Sequence, residues 1–247
     1  MLKSERKRFI TDKIREENTV SLEELTNLLE TSESTIRRDL DELESENKLR
    51  RVHGGAERIA SLQEELSNQE KSIKNVQEKM AIAKEALAQI DEGDVVFIDA
   101  GTTTELLVRE LTFKQVTVVT NSIHHASKLV ERGIQTIIIG GFVKQSTDAS
   151  VGQLAVEQIK RLNFDKAFLG MNGVDENFFT TPDLEEAVIK QLIIENARKA
   201  YVLVDNTKLS QTSFVKVTGI EKASVITNKS LNVLTKNLKE KTEVMEV

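Results

Sequence analysis

The amino-acid sequence predicts an α/β protein in two parts: an N-terminal winged helix-turn-helix and a larger Rossmann-like domain on a mainly parallel sheet. Three observations carry that expectation. A capped amphipathic helix over 32–46 is followed by a short basic hairpin with glycines at its tip. From Glu78 onward, short apolar strands alternate with helical patterns. The first of those strands ends in Asp99-Ala-Gly-Thr-Thr-Thr104, where a helix opens.

In the first part, Phe9, Ile10 and Ile14 mark a first helix. Ser21 with Glu24 three residues on is a capping-box pattern. Leu22, Leu25, Leu28 and Leu29 then form a stripe that predicts a second helix packed on a third, with Glu30-Thr31 as the short turn. Ser32 is a good N-cap, because its hydroxyl accepts from a free backbone N–H of the first turn. Ile36, Leu40 and Leu43 recur at helical spacing, and Ser34, Thr35, Arg37 and Arg38 fall near the helix start, largely off that stripe. The start of a recognition helix is the part that meets base edges; arginine bonds guanine bidentately or holds phosphate, and short hydroxyls reach either. Lys48-Leu-Arg-Arg-Val-His53 is basic and partly alternating, and Gly54-Gly55 permits a tight turn. The candidate DNA-contacting residues are Ser32, Ser34, Thr35, Arg37, Arg38, Lys48, Arg50, Arg51, His53 and Gly54. Periodicity alone also fits a solvated helix of a bundle; the wing and the paired arginines at their fixed offset favour DNA. His53 reads either as a phosphate-facing or as a packing residue of the wing.

Net charge is −6, and residues 1–58 hold 12 Lys/Arg against 14 Asp/Glu, so a DNA role rests on arrangement rather than on the total. The basic residues gather on the helix start and wing, while Glu42, Glu44 and Glu46 lie at the far end. That arrangement predicts modest non-specific affinity and strong salt sensitivity. The chain has no cysteine, which excludes disulfides and thiolate chemistry. His53, His124 and His125 lack metal-ligand spacing, and no metal site is expected. No apolar run is long enough to span a membrane and no signal-peptide core is present, so a cytoplasmic protein is expected.

The expected division is 1–57 for the DNA-binding part, 58–76 for a helical linker, and 77–247 for the larger domain. In the linker, Leu62, Leu66, Gln69, Ile73 and Val76 step by four, three, four and three. That spacing fits either a short heptad-like seam or a helix packed on the body. In the body, Met80, Ala83 and Leu87 mark a helix ending near Ile90. Strands are expected at 95–98, 116–120, 136–139, 167–169, 201–204 and 224–227, with helices at 103–111, 122–132, 152–162, 184–199 and 231–240. Continuous apolar strands separated by helices imply a sheet covered on both faces.

Ligands of such sheets bind at the carboxyl ends of the strands. At the first, Gly101 lets the backbone approach a ligand, and the helix start at Thr102, Thr103 and Thr104 offers N–H groups, hydroxyls and a favourable dipole to one phosphate. On local sequence alone Thr102 serves equally as a simple helix cap. Neither a Gly-x-x-x-x-Gly-Lys nor a Gly-x-Gly-x-x-Gly pattern is present, which disfavours nucleoside triphosphates and dinucleotides, and no cofactor is expected. The other strand ends carry Asn121-Ser122, Gly140-Gly141, Gly170-Met-Asn172-Gly173 and Asp205-Asn-Thr-Lys208. Asp99 and Asp205 suit sugar hydroxyls, and Lys208 suits a phosphate.

Thr35-Ile-Arg-Arg-Asp-Leu40, followed by Leu49-Arg-Arg-Val-His-Gly-Gly-Ala56, resembles the N-terminal signature of the DeoR-type bacterial repressors. The body resembles the DeoR-type effector domain, which shares its fold with ribose-5-phosphate isomerase. The motifs are Asp99-x-Gly-Thr-Thr103, Thr120-Asn-Ser122, Gly140-Gly141, Gly170-x-x-Gly173, Glu186-x-x-x-Lys190 preceded by Thr180-Thr181, and Val204-Asp205 through Lys208. The resemblance runs from about residue 2 to 228. It implies a repressor of double-stranded operator DNA, a homo-oligomer (dimer or tetramer), and a phosphorylated sugar as ligand, with Thr102 to Thr104 on the phosphate. The candidate effector-binding residues are Asp99, Gly101, Thr102, Thr103, Thr104, Asn121, Ser122, Gly140, Gly141, Asn172, Glu186, Lys190, Asp205 and Lys208. A sugar-phosphate isomerase joined to a DNA-binding head is the alternative, since Asp183, Glu185 and Glu186 are acids of the kind such chemistry needs. The isomerases carry a glycine-rich loop before their catalytic glutamate, where this chain has Thr180-Thr-Pro-Asp183, so no enzymatic activity is expected. Residues 32–35, 61–66 and 164–175 are similar to the corresponding runs of the fructose operon repressors of Gram-positive bacteria. That similarity implies fructose 1-phosphate as effector and a fructose phosphotransferase operon as target.

Overall fold

A computed structural model describes residues 2–17, 19–52, 54–58, 61–63, 65–112, 115–230 and 232–247, with backbone only for Arg15 and Glu16. The chain divides into two compact units, Met1–Ser61 and Leu62–Val247.

The first unit runs α1 (Lys3–Glu17), β1 (Thr19–Ser21), α2 (Leu22–Leu28), α3 (Glu33–Ser45), β2 (Arg50–Val52) and β3 (Gly55–Glu57). Its core is Ile10 and Ile14 of α1, Leu22 and Leu25 of α2, Ile36, Leu40 and Leu43 of α3, with Val20, Leu49 and Ala56. The Ser21 hydroxyl accepts from the Glu24 N–H and starts α2. Two parts of the expected stripes face outward: Leu28 is 50% exposed and Phe9 37%. Inside the stripe geometry an ion pair adds a second tie. Asp39 is buried on α3 and receives two bonds from the Arg6 guanidinium of α1. β1, which the sequence did not reveal, pairs with β3, giving an antiparallel sheet of order β1-β3-β2. Gly54 turns at φ +80. At Gly55 the backbone passes so close to the Val20 carbonyl that a Cβ would collide with it.

The second unit begins with α4 (Asn68–Ser72) and α5 (Val76–Ala88). β4 (Val95–Ile98), α6 (Thr102–Glu110), β5 (Thr117–Thr120), α7 (Ile123–Glu131) and β6 (Gln135–Ile138) follow. Next come β7 (Phe142–Val143), β8 (Ser150–Val151), α8 (Gln153–Ile159), β9 (Phe164–Gly170), β10 (Gly173–Val174), β11 (Phe178–Thr181) and α9 (Leu184–Asn196). The chain closes with β12 (Ala197–Leu203), β13 (Val215–Gly219), β14 (Ser224–Thr227), α10 (Leu234–Lys239) and β15 (Val244–Glu246). Seven strands form one sheet of order β15-β14-β12-β9-β4-β5-β6, and every pairing in it is parallel. Alternate residues of each strand feed two cores. Val96, Ile98, Val118, Phe168 and Tyr201 meet α5, α6 and α7 on one face. Phe97, Val119, Ala167, Leu169 and Val202 meet α8, α9 and α10 on the other. Phe168 and Tyr201 stack across β9 and β12 with centroids 5.2 Å apart and planes at 7°.

Three expectations need correction. The helix expected over 184–199 stops at Asn196, because Ala197–Lys199 pair with Phe164–Lys166 as the start of β12. The linker residues Leu62, Leu66, Gln69, Ile73 and Val76 do not share one helix. Ser67 opens α4 with a complete capping box, Asn75 adopts φ +52 before α5, and Leu62 and Ile73 are exposed. The antiparallel sheet β10-β11-β13, the β7-β8 hairpin and β15 were not visible as strand patterns.

Candidate functional site

In the sheet of the second unit, β4, β5 and β6 extend to one side and β9, β12, β14 and β15 to the other. The order therefore reverses between β4 and β9, and the crevice at the carboxyl ends of those strands is where a ligand of such a sheet belongs. Asp99 follows β4 there, and Gly170 ends β9. Lys190 of α9 donates to both, to the Asp99 carboxylate and, at 3.0 Å, to the Gly170 carbonyl. Both partners of this ion pair are buried. Burial pushes the Lys190 ammonium down, but Asp99 and Glu186 more than offset it and leave the lysine above its ordinary value.

α6 starts beside this pair. Its N-cap is Gly101, which supplies no side chain to the free N–H groups of the first turn. Thr104 is buried and its hydroxyl donates back to the Gly101 carbonyl at 2.9 Å. Thr103 is 9% exposed, and Thr102 is half-buried. Lys79 of α5 donates to the Thr102 hydroxyl at 3.1 Å and to the Lys71 carbonyl at 2.5 Å. Burial holds the Lys79 ammonium below its ordinary value; Asp205 opposes the shift, and Lys208 and Lys71 add to it. Burial lowers Lys71 as well, with Glu65 and Glu186 opposing and Lys208 and Lys190 reinforcing. Among the described residues the Lys208 ammonium makes no hydrogen bond or ion pair. Lys79 thus stands at a helix start with uncapped N–H groups, and the charges of Lys71 and Lys208 bear on it. That assembly favours an anion.

Most of the remaining expected residues have at least one polar atom engaged by protein. Asn121 accepts from the Ala100 N–H at 2.9 Å and fixes the β4–α6 junction. Ser122 caps α7 by accepting from the His125 N–H. Gly140 exchanges two bonds with the Gln158 amide, and Gly141 approaches the Val151 carbonyl where a Cβ would clash. Asn172 accepts from the Thr181 hydroxyl at 3.1 Å. Asp205 caps the short 3-10 turn Asn206–Lys208 and also accepts from Asn75 at 3.2 Å. Glu186 accepts from Lys144 at 3.0 Å and from the Thr147 hydroxyl at 2.9 Å. Sequence reasoning missed Lys71, Lys79, Lys144 and Glu65. Lys71 and Lys79 sit in segments that read as linker and amphipathic helix, and only the fold brings them to the strand ends. Among the described residues no cluster of His, Asp and Glu could hold a metal ion, and no helix is long and apolar enough to cross a membrane.

In the first unit, the Ser32 hydroxyl caps α3 at the Thr35 N–H and also contacts the Ser34 and Thr35 hydroxyls, at 3.0 and 2.8 Å. Arg37 pairs with Glu33 one turn back. Arg50 pairs with Glu57, Arg51 with Asp41, and Lys48 with Glu46. Arg38 is exposed, and among the described residues it has no ion-pair partner. His53 lies outside the described residues.

The first unit matches the DeoR-like helix-turn-helix domain over residues 6–62, and the second matches the DeoR C-terminal sensor domain over residues 74–229. The chain belongs to the DeoR family. Over its whole length it is 42% identical to a Bacillus subtilis protein named as an uncharacterised HTH-type transcriptional regulator, FruR, covering 99% of that protein. It is 35% identical to the lactose phosphotransferase system repressor of Staphylococcus aureus, over 87% of each chain. Ribose 5-phosphate isomerase A of Methanocaldococcus jannaschii is similar in structure with a TM-score of 0.42 and 22% identity, over 55% of each chain. As a DeoR-family member with a DNA-binding and a sensor domain, the chain is a transcriptional regulator and not an enzyme.

Proposed function

We propose that this DeoR-family regulator represses a fructose phosphotransferase operon, and that a phosphorylated sugar, fructose 1-phosphate, relieves the repression. The supporting observation is the uncapped start of α6 with the Lys79 ammonium on the Thr102 hydroxyl, where the charges of Lys71 and Lys208 also bear on Lys79. A phosphate there accepts from the N–H groups of Thr102 and Thr103 and from the three ammonium groups. α3 and the wing read the operator through Ser32, Ser34, Thr35, Arg37, Arg38, Lys48, Arg50 and Arg51. A homo-oligomer places two such heads on paired half-sites. A coupling of about 1–3 kcal/mol between the sites changes DNA affinity by roughly 5- to 150-fold. The choice of fructose 1-phosphate rests on the 42% identity to FruR and on the similar runs at 32–35, 61–66 and 164–175.

The test is operator binding by the full chain with and without fructose 1-phosphate, for the wild type and for Thr103→Glu. Release of the wild type, and sugar-blind binding by the variant, are the expected results. A variant that releases normally removes the phosphate from α6.

A further inference from the structure

The second unit leaves a concentrated apolar face in water. Phe142 and Leu154 are each 71% exposed, Leu184 63%, Val188 41% and Val143 39%. Phe142 and Val143 form β7, Leu154 lies in the first turn of α8, and Leu184 and Val188 stand one turn apart on α9. The fold ties these three elements together at this end. β7 pairs with β8, which runs straight into α8. Lys144, next after Val143, reaches Asp183 at 2.9 Å and Glu186 at 3.0 Å, on either side of Leu184. The Glu185 carboxylate lies over Gly152, the N-cap of α8.

Exposed apolar side chains around β6 do not converge in this way. Ile137 and Ile138 are neighbours in one strand and so point to opposite faces of the sheet edge. Val130 of α7 stands with Ser127 and Glu131, both exposed. Scattered residues of that kind are ordinary surface, whereas a contiguous patch marks an interaction site.

At their exposures the five side chains leave on the order of 500 Å² of apolar surface in water, the upper range for the largest patch of a monomer. Contacts between identical subunits are about 65% apolar and use roughly 800 Å² a side. The patch therefore supplies the apolar share of one such contact. A two-fold contact sets a patch against itself, so a rim of a single sign would repel its copy. Here the rim carries both signs, Glu157 and Glu185 with Lys160 and Arg161, all exposed.

We propose that the face formed by β7, α8 and the start of α9 is a two-fold interface with a second copy of this chain. The inference rests on the homo-oligomer reading above and gives it a location. On α9, Leu184 and Val188 then meet the second copy while Lys190 holds Asp99 at the end of β4. The same helix borders both the contact and the effector crevice.

The test is sedimentation velocity of the full chain. The wild type is expected to be a dimer, or a multiple of one, at micromolar concentration. Leu154→Glu and Phe142→Glu each count twice in a two-fold contact. Each should weaken association at least about thirtyfold and halve the mass, with far-UV circular dichroism unchanged. Val130→Glu, away from the face, should sediment as the wild type. The chain has no cysteine, so Leu154→Cys adds a single thiol and no charge. Its labelling by a maleimide should be slow in concentrated protein and quicken on dilution. Wild-type mass in both glutamate variants, dissociation by Val130→Glu, or labelling independent of concentration overturns the proposal and leaves the oligomer reading standing. A monomeric wild type removes both.

Discussion

Lys190, in the second turn of α9, donates to the Asp99 carboxylate at the end of β4 and locks the point where the strand order reverses. With both groups buried, removing one strands the other. Lys190→Met is expected to destabilise the second unit by about 3–5 kcal/mol. The double variant Asp99→Leu, Lys190→Met should lose less than Lys190→Met alone. Urea unfolding followed by far-UV circular dichroism measures both. A single variant as stable as the wild type would show that the pair contributes nothing.

Lys79→Met removes the ammonium nearest the Thr102 hydroxyl and leaves the long apolar stem to fill the same space. Affinity for fructose 1-phosphate should fall at least about tenfold, the loss of one charge-assisted bond. Operator binding without sugar should stay within about twofold. Calorimetry and a gel-shift titration read the two arms, and an unchanged sugar affinity counts against the basin.

The depressed lysines give the basin a pH dependence. Lys71 and Lys79 lie below the ordinary lysine value of 10.5 in the free protein, in both cases chiefly through burial. A bound phosphate favours the ammonium form and raises both, so binding takes up protons on the alkaline side. Above about pH 8 a sugar phosphate is fully dianionic, and further deprotonation of the lysines should weaken binding steadily. For stability without ligand the sign is opposite. A lysine with a lowered folded value binds fewer protons than the unfolded chain, so stability rises with pH through that window. Dissociation constants measured from about pH 8 to 10.5 should increase; a flat profile would mean that neither lysine meets the phosphate.

On the DNA-reading face, Arg38 is exposed and has no ion-pair partner among the described residues, whereas Arg37 is engaged by Glu33. Arg38→Ala should reduce the salt dependence of operator binding by about one unit of slope if the contact is to phosphate. Glu33→Gln should tighten binding, because Arg37 is released from an exposed pair worth about 0–1 kcal/mol. Binding isotherms at several salt concentrations test both, and wild-type affinity in Arg38→Ala would move the DNA contacts elsewhere.

Gly55→Ala drives a Cβ into the Val20 carbonyl and must part β3 from β1. Operator affinity should drop sharply while sugar-phosphate binding persists. Full operator affinity in this variant would mean the wing is dispensable.

Much of this was readable from residue order. Apolar runs such as Val95–Ile98 and Ser224–Thr227 became strands with the expected bounds, since a strand buried on both faces must be apolar throughout. The caps at Ser21 and Ser32 held because their partners lie three residues away. What escaped was non-local. β1 and β15 are three residues long and owe their existence to neighbours brought in by the fold. Asp99, Asn121 and Asp205 read as ligand groups, and each has one side-chain oxygen engaged by protein. Lys71 and Lys79 carry no local signal, because what distinguishes them is distance to residues 23 to more than 100 positions away.

The stacked pair Phe168–Tyr201 has a practical corollary. The chain has one tyrosine and no tryptophan, and that tyrosine is buried on β12 between β9 and β14, its hydroxyl donating to Gln89, just past the end of α5, at 3.3 Å. Tyrosine emission from this protein thus originates from one residue in the middle of the sensor domain. A melt followed by that glow registers collapse of the sensor and is blind to the DNA-binding head.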